Sequence, residues 1–327
     1  MSELPALNHL TPLLIAARDP AFRYKGNDAE AALLVRQARA ADLLAHLQQV
    51  LDGRIASNVS PRLQEHLQAA RILADKQHQI VRWEVEQISK ATRRVGAPMV
   101  LLKGAAYVAA GIRAGQGRLL SDIDILVPAG AIEDVERSMK RSGYFPKEIS
   151  DYDRRYYREW SHEIPPVVHL SRQTTVDIHH SILPPTTRLK PDSRLLLAEA
   201  EPLPGYEEVY TLSPRDMILH SACHLFHEGE LHHGLRDLVD IHTLLDEFMT
   251  DQATWEGLVN RARQLDLMPP LYYALRYASR ILNTPVPPEI FTAIAPGGPG
   301  PLVGAMQDWC FGEAFKPHHP SCDRWHS

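Results

Sequence analysis

Apolar residues along this chain change period twice, and the changes divide it into three parts. The stretch "NDAEAALLVRQARAADLLAHLQQVLDG" sets Leu and Ala at helical spacing between a capping Asn27 or Asp28 and Gly53, and predicts one long helix. A second helix opens at Ser60-Pro61 and runs to Gly96. Leu63, Leu67, Ala70, Leu73, Ile80, Val81 and Ile88 trace its apolar stripe. The pattern then shortens. "PMVLLK", "SDIDILVP", "PPVVHLS" and "TTVDIHHSI" read as strands, the last two as a hairpin around "SRQ". Between them "GAAYVAAGI" and "GAIEDVERSMKRSGY" read as helices, the second amphipathic and closed by Gly143.

This alternation predicts a compact α/β core over residues 97–183, with a helical region over 1–96 before it. Pro184 to Gly205 reads as a surface loop, and "YEEVYTL" as one further strand. The rest of a mostly helical region, 184–327, follows as "SPRDMILHSACHLFHE", "LRDLVDIHTLLDEF", "TWEGLVNRARQL" and "PPLYYALRYASRIL". "APGGPGP" breaks the helical pattern, and "KPHHPSCDRWHS" reads as a loose tail.

Composition narrows the classes. With 327 residues, 44% of them hydrophobic, the chain is long enough to bury a sizeable core. A net charge of −5 argues against a protein that coats nucleic acid by bulk positive charge, and leaves room for a local basic groove. Three dispersed cysteines suggest neither a disulfide framework nor a structural zinc site, which fits a reducing cytoplasm. The longest apolar stretch is interrupted by Lys103 and too short to span a bilayer, so a soluble protein without a membrane partner is expected.

The candidate chemistry lies in "RLLSDIDILVP". Side chains alternate along a strand, so Asp122 and Asp124 face one way while Ile123, Ile125 and Val127 pack on the other face. Such a pair either sits at a solvated strand end, capping the next turn, or shares a divalent cation. Mg²⁺ favours hard oxygen ligands of this kind. Asp177, in the apolar strand "TTVDIHHSI", adds a third carboxylate. Three carboxylates on two neighbouring strands could hold two ions, an arrangement suited to phosphoryl or nucleotidyl transfer. Lys103 and Gly104 stand at a strand-to-helix junction, where free N–H groups, close approach at glycine and an ammonium suit phosphate. Arg118 and Ser121 are candidates for further phosphate contacts.

The order of K-G, R-x-x-S-D-x-D and an apolar-flanked Asp resembles the DNA polymerase β-type nucleotidyltransferase superfamily. More narrowly, "LLKGAAYVAAGIRAGQGRLLSDIDILV" followed by "VDIHHSI" resembles the bacterial uncharacterised nucleotidyltransferase family. The lysine-glycine start and the Arg-Ser-Asp-x-Asp run are also similar to nucleotidyltransferase toxins. The resemblance implies an α/β (α+β) fold, a small mixed sheet flanked by helical regions. It implies ATP or another NTP as donor and Mg²⁺ as cofactor, two ions with Mn²⁺ as a substitute. Asp122 and Asp124 would hold both ions, and Asp177 would complete the site and help activate the acceptor hydroxyl. The acceptor is a small molecule, a protein side chain or an RNA end such as that of tRNA. One departure stands out: many superfamily members have Gly-Ser where this chain has Gly104-Ala105, so a hydroxyl near the phosphates is missing.

That departure keeps a second class of function open, a nucleotide-binding sensor or partner-binding module with weak catalysis. A third is a metal hydrolase in the C-terminal region. His220 and His224 are spaced i, i+4 on a predicted helix, with Asp237 and Asp240 nearby in sequence. No H-E-x-x-H arrangement is present, and the neighbouring apolar residues suffice for a packed bundle. Arg236 and Asp237 are expected to pair or to brace the nucleotide cleft. His179 shares the strand face of Asp177, and supports the site from behind in this reading; His180 points away.

Overall fold

Ser60 caps, and Pro61 begins, the longest helix of the protein, a 33-residue rod against which the other layers are built. The computed structural model describes residues 12–19, 21–56, 59–147, 150, 157, 160–227, 231 and 233–322. Among the described residues three helices precede the rod: α1 (Pro12–Arg18), α2 (Asp28–Ala40) and α3 (Leu44–Leu51), with α4 (Pro61–Arg93) the rod itself. Asn27 caps α2 in a capping box with Glu30.

The single helix expected over 27–53 is in fact two, α2 and α3. Asp42 takes a left-handed φ of 53°. Leu43 N donates to Ala38 O at 2.8 Å and Asp42 N to Arg39 O at 3.1 Å, a Schellman-type stop. Aspartate tolerates that backbone better than most residues, and burial of Leu43 secures it. The continuous Leu/Ala spacing concealed the break.

The stripe on α4 also needs correcting. Leu73 and Ile80 are exposed, at 60% and 58%, whereas Ala74, His78, Val81 and Val85 face inward. The reason is a polar docking. Gln77 hydrogen-bonds both ways with the Leu120 backbone, and His78 Nε2 meets Arg118 O at 2.8 Å. Satisfying those backbone groups turns the helix one step away from its most apolar face.

The sheet is mixed and seven-stranded, in the order β3-β4-β5-β2-β1-β7-β6. Its strands are β1 (Met99–Leu101), β2 (Ile123–Leu126), β3 (Tyr144–Pro146), β4 (Val167–His169), β5 (Thr175–His179), β6 (Glu201–Pro202) and β7 (Val209–Thr211). β1 and β2 are antiparallel, β2 and β5 parallel, and the β4–β5 hairpin is antiparallel as expected. Helices α5 (Lys103–Ala110) and α6 (Ile132–Arg141) connect the strands. The sheet continues past residue 183, because β7 pairs in parallel with β1.

The Pro-rich segment after 184 is not all loop; it contains α7 (Ser193–Ala198). The later helices are α8 (Pro214–His227), α9 (Gly234–Phe248), α10 (Gln252–Gln264), α11 (Met268–Leu282), α12 (Pro288–Ile294) and α13 (Pro301–Ala314), the last two beyond the expected set. The described part of the tail is anchored: Gln37 Nε2 donates to Ser321 Oγ at 2.9 Å. One continuous apolar core joins the N-terminal helices, the sheet and the C-terminal helices. Among the described residues, no helix is long and apolar enough to cross a membrane.

Candidate active site

Strand register brings the aspartates together. β2 and β5 run parallel with Asp124 opposite Asp177, while Ile123 and Ile125 face Val176 and Ile178. Opposed residues share a face, so the two carboxylates stand side by side while the isoleucines and valine fill the core behind. Asp122 directly precedes β2 and accepts a hydrogen bond from Ser121 Oγ at 3.0 Å.

The chain must turn sharply to bring Lys103 to this face. Leu102 N donates to Asp124 O at 3.0 Å, ending the β1–β2 ladder, and Lys103 then opens α5 with a left-handed φ of 46°. A non-glycine residue there is strained, and such strain clusters at functional sites. Lys103 Nζ lies 3.3 Å from Asp124 Oδ1. His179 Nε2 reaches the same oxygen at 3.0 Å and Glu163 Oε2 at 3.4 Å.

The buried carboxylate of Asp124 and the half-buried one of Asp177 respond in opposite ways. Burial would raise Asp124, but the Lys103 ammonium and His179 outweigh it and hold the carboxyl well below the usual carboxylate range. Burial lifts Asp177, and the negative charges of Asp124, Asp122 and Glu163 add to it, so its pKa is pushed up to about 7. Its Oδ1 is buried and makes no hydrogen bond among the described residues. Burial alone would lower His179, and its contacts with Asp124 raise it instead.

Not all the sequence candidates converge. The Arg118 guanidinium turns toward α9, with Nε 2.8 Å from Asp240 and Nη2 3.6 Å from Asp237. It anchors the loop before Asp122 to the C-terminal helices. Gly104 faces Leu120: a Cβ added at this glycine would lie 3.1 Å from the leucine side chain. Glycine here lets the loop close over α5. Arg236 pairs with Asp237 at 3.0 Å and with Asp42 at 3.6 Å. Asp237 and Asp240 are therefore engaged by arginines, and His224 lies 3.6 Å from Asp237. Among the described residues, no metal-capable group of three forms around His220 and His224; the one identified joins His162, Glu163 and His179.

Glu163 and His224 were missed as neighbours of the site. Glu163 bridges to His179 beside the end of β5, and His224 contributes to lowering Asp124 from α8. The adjacent His162-Glu163 pair just ahead of the "PPVV" strand was the available signal for the first. Nothing local pointed to the second.

A hard divalent ion fits these residues on chemical grounds. Oxygen donors crowd around Asp177, one of whose oxygens is orphaned, and a cation relieves both features. No curated protein and no solved structure matches the chain. The model of the uncharacterised nucleotidyltransferase family matches residues 27–283, which takes in both aspartate-bearing strands and the helices that anchor them, and the chain belongs to that family.

Proposed function

We propose that the protein transfers a nucleoside monophosphate from an NTP, with ATP as first choice, to an acceptor hydroxyl with release of pyrophosphate. One observation carries the reading. Asp177, in register with Asp124, has a buried unpartnered oxygen and a pKa pushed up to about 7 by burial and neighbouring carboxylates. Repulsion of this kind is unfavourable in a resting fold and useful where positive charge arrives with substrate.

Asp122, Asp124 and Asp177 would hold Mg²⁺, which when bound supplies positive charge against the phosphate oxygens. The chain's own groups do the rest. Asp177 takes the proton of the acceptor hydroxyl as its oxygen forms a bond to the α-phosphorus. The bond from that phosphorus to the bridging oxygen breaks, and pyrophosphate leaves. Lys103 and the first amides of α5 hold the departing phosphates, while His179 and Glu163 keep Asp124 oriented. The acceptor is a small molecule, a protein side chain or an RNA end.

The test is pyrophosphate release from labelled NTP with Mg²⁺, followed by mass spectrometry of a treated lysate to find the modified acceptor. Binding of NTP without release would favour the sensor reading. Lys103 needs a test of its own, because its pairing with Asp124 offers a purely structural role. Calorimetric titration of a non-hydrolysable NTP into Lys103→Ala should show weakened affinity; unchanged affinity removes Lys103 from the phosphate site.

A further inference from the structure

A cavity lies past the far end of α5, beside the 113–116 turn. That helix has eight residues, so its end lies about 12 Å from Lys103 at 1.5 Å per residue. The cavity has a volume of about 450 Å³, is open to solvent on one side and is lined by α1, α3, the 113–116 turn, α9 and the segment after α11. That size lies within the usual range for small-molecule sites.

Its lining is strongly biased in charge. Arg18, Arg54 and Arg113 contribute three guanidinium cations against the single carboxylate of Asp246, and His46 and His242 add two imidazoles as neutral hydrogen-bonding groups. Arg113 already engages Asp246 at 2.7 Å, and its backbone N–H donates to Glu247 at 2.9 Å. Arg54 donates to the Val50 carbonyl at 3.2 Å and pairs with no carboxylate among the described residues. Arg18 is held by the Ile281 and Arg280 carbonyls at the end of α11. His242 Nδ1 meets Thr284 Oγ1 at 2.8 Å, which fixes its ring against the wall. Ala17 and Val50 give an apolar side.

We infer that this cavity is a binding site for a small phosphorylated organic molecule, separate from the carboxylate cluster. The planar fork of arginine suits phosphate oxygens, and the apolar wall suits a short carbon body. Burial and the charge of His242 push His46 down to about 4, and burial likewise lowers His242. A bound dianion is the partner that the Arg54 guanidinium lacks among the described residues, and the neutral imidazole of His46 can donate an N–H to it. The inference does not depend on the nucleotidyl-transfer reading, since it uses none of that site's residues.

Calorimetric titration of ribose 5-phosphate into the full-length protein, in chelator, tests it. Expected is saturable binding, with no heat from ribose and weaker binding of inorganic phosphate. Arg54→Gln and His46→Gln should each weaken binding about tenfold, the value of one charge-assisted hydrogen bond, with thermal melts confirming that both variants fold. Lys103→Ala should bind as the wild type does. Absence of binding, or wild-type affinity in both cavity variants, overturns the site. Loss of binding in Lys103→Ala moves the ligand to the carboxylate cluster and also overturns it. Inorganic phosphate binding as tightly as ribose 5-phosphate overturns the organic ligand class.

Discussion

Asp216 and Asp177 are both carboxylates inside this protein, and they are treated in opposite ways. Asp216, near the start of α8, is fully buried and gripped by Arg261, with Nε and Nη2 each 2.8 Å from one of its oxygens. Arg261 is itself completed by Glu199 at 2.7 Å and the Leu195 carbonyl at 2.8 Å. With Arg215 3.7 Å from Glu199, two guanidiniums face two carboxylates there, and the Asp216–Arg261 pair ties α8 to α10. Around Asp177 charges do not balance among the described residues. Asp122, Asp124 and Glu163 crowd it, with Lys103 and His179 engaged on Asp124. A buried carboxylate with its arginine is architecture; a group of carboxylates that outnumbers its cations among the described residues is the kind of arrangement that the proposed metal would relieve.

The sharpest way to break this contrast is Asp124→Asn. It keeps the shape and removes a charge that phosphate transfer needs, so pyrophosphate release should fall at least about a thousandfold, near 4 kcal/mol of barrier. Circular dichroism should be unchanged. A rate within tenfold of wild type would place Asp124 with Asp216, as structure only.

Arg261→Met probes the other side. It strands Asp216 in the interior, and urea unfolding should register a loss of about 3–5 kcal/mol. The rate per folded molecule should be kept. A cost under about 1 kcal/mol would mean that water or neighbours satisfy Asp216 after all.

Divalent ions should separate the regions at smaller cost. Saturating Mg²⁺ should stabilise the wild type by about 1–3 kcal/mol in thermal melts. Asp177→Asn should gain less from Mg²⁺, yet be about 1 kcal/mol more stable than wild type in chelator, because like-charge crowding is relieved. If Asp177→Asn destabilises the chelated protein instead, Asp177 has a hidden partner, as Asp216 has a visible one.

The smallest effect concerns pH. His46 is held at about 4 in the fold against about 6.5 in the unfolded chain. Between those values the unfolded chain binds more protons, so this group's stabilisation is complete above about pH 7 and is lost as pH falls toward 4. His46→Gln should flatten that part of the stability curve by less than about 1 kcal/mol, allowing for its partial exposure. An unchanged curve would show that the imidazole is already solvated.

The site was legible where local rules suffice. A two-residue period placed Asp122 and Asp124 on one face, and the apolar flanks of Asp177 marked a second strand. Arg118 was legible only as a residue type. Its partner Asp240 is 122 positions away, and no local pattern connects a loop arginine to that helix. Leu73 and Ile80 misled for a related reason: hydrogen bonds from Gln77 and His78 to the 118–120 backbone decided which face of α4 turned inward.

By itself the sequence determined five of the seven strands (not the short edge strands β3 and β6), most of the helices and the order of the Lys-Gly, Asp-x-Asp and Asp segments, because spacing and backbone preference act over a few residues. Only the tertiary structure decided that Asp124 meets Asp177, that Glu163 and His224 join their surroundings, and that Arg118 turns away to α9. Strand register and charge balance are set by whole layers packing together, and which carboxylate finds its arginine is known only once those layers have closed.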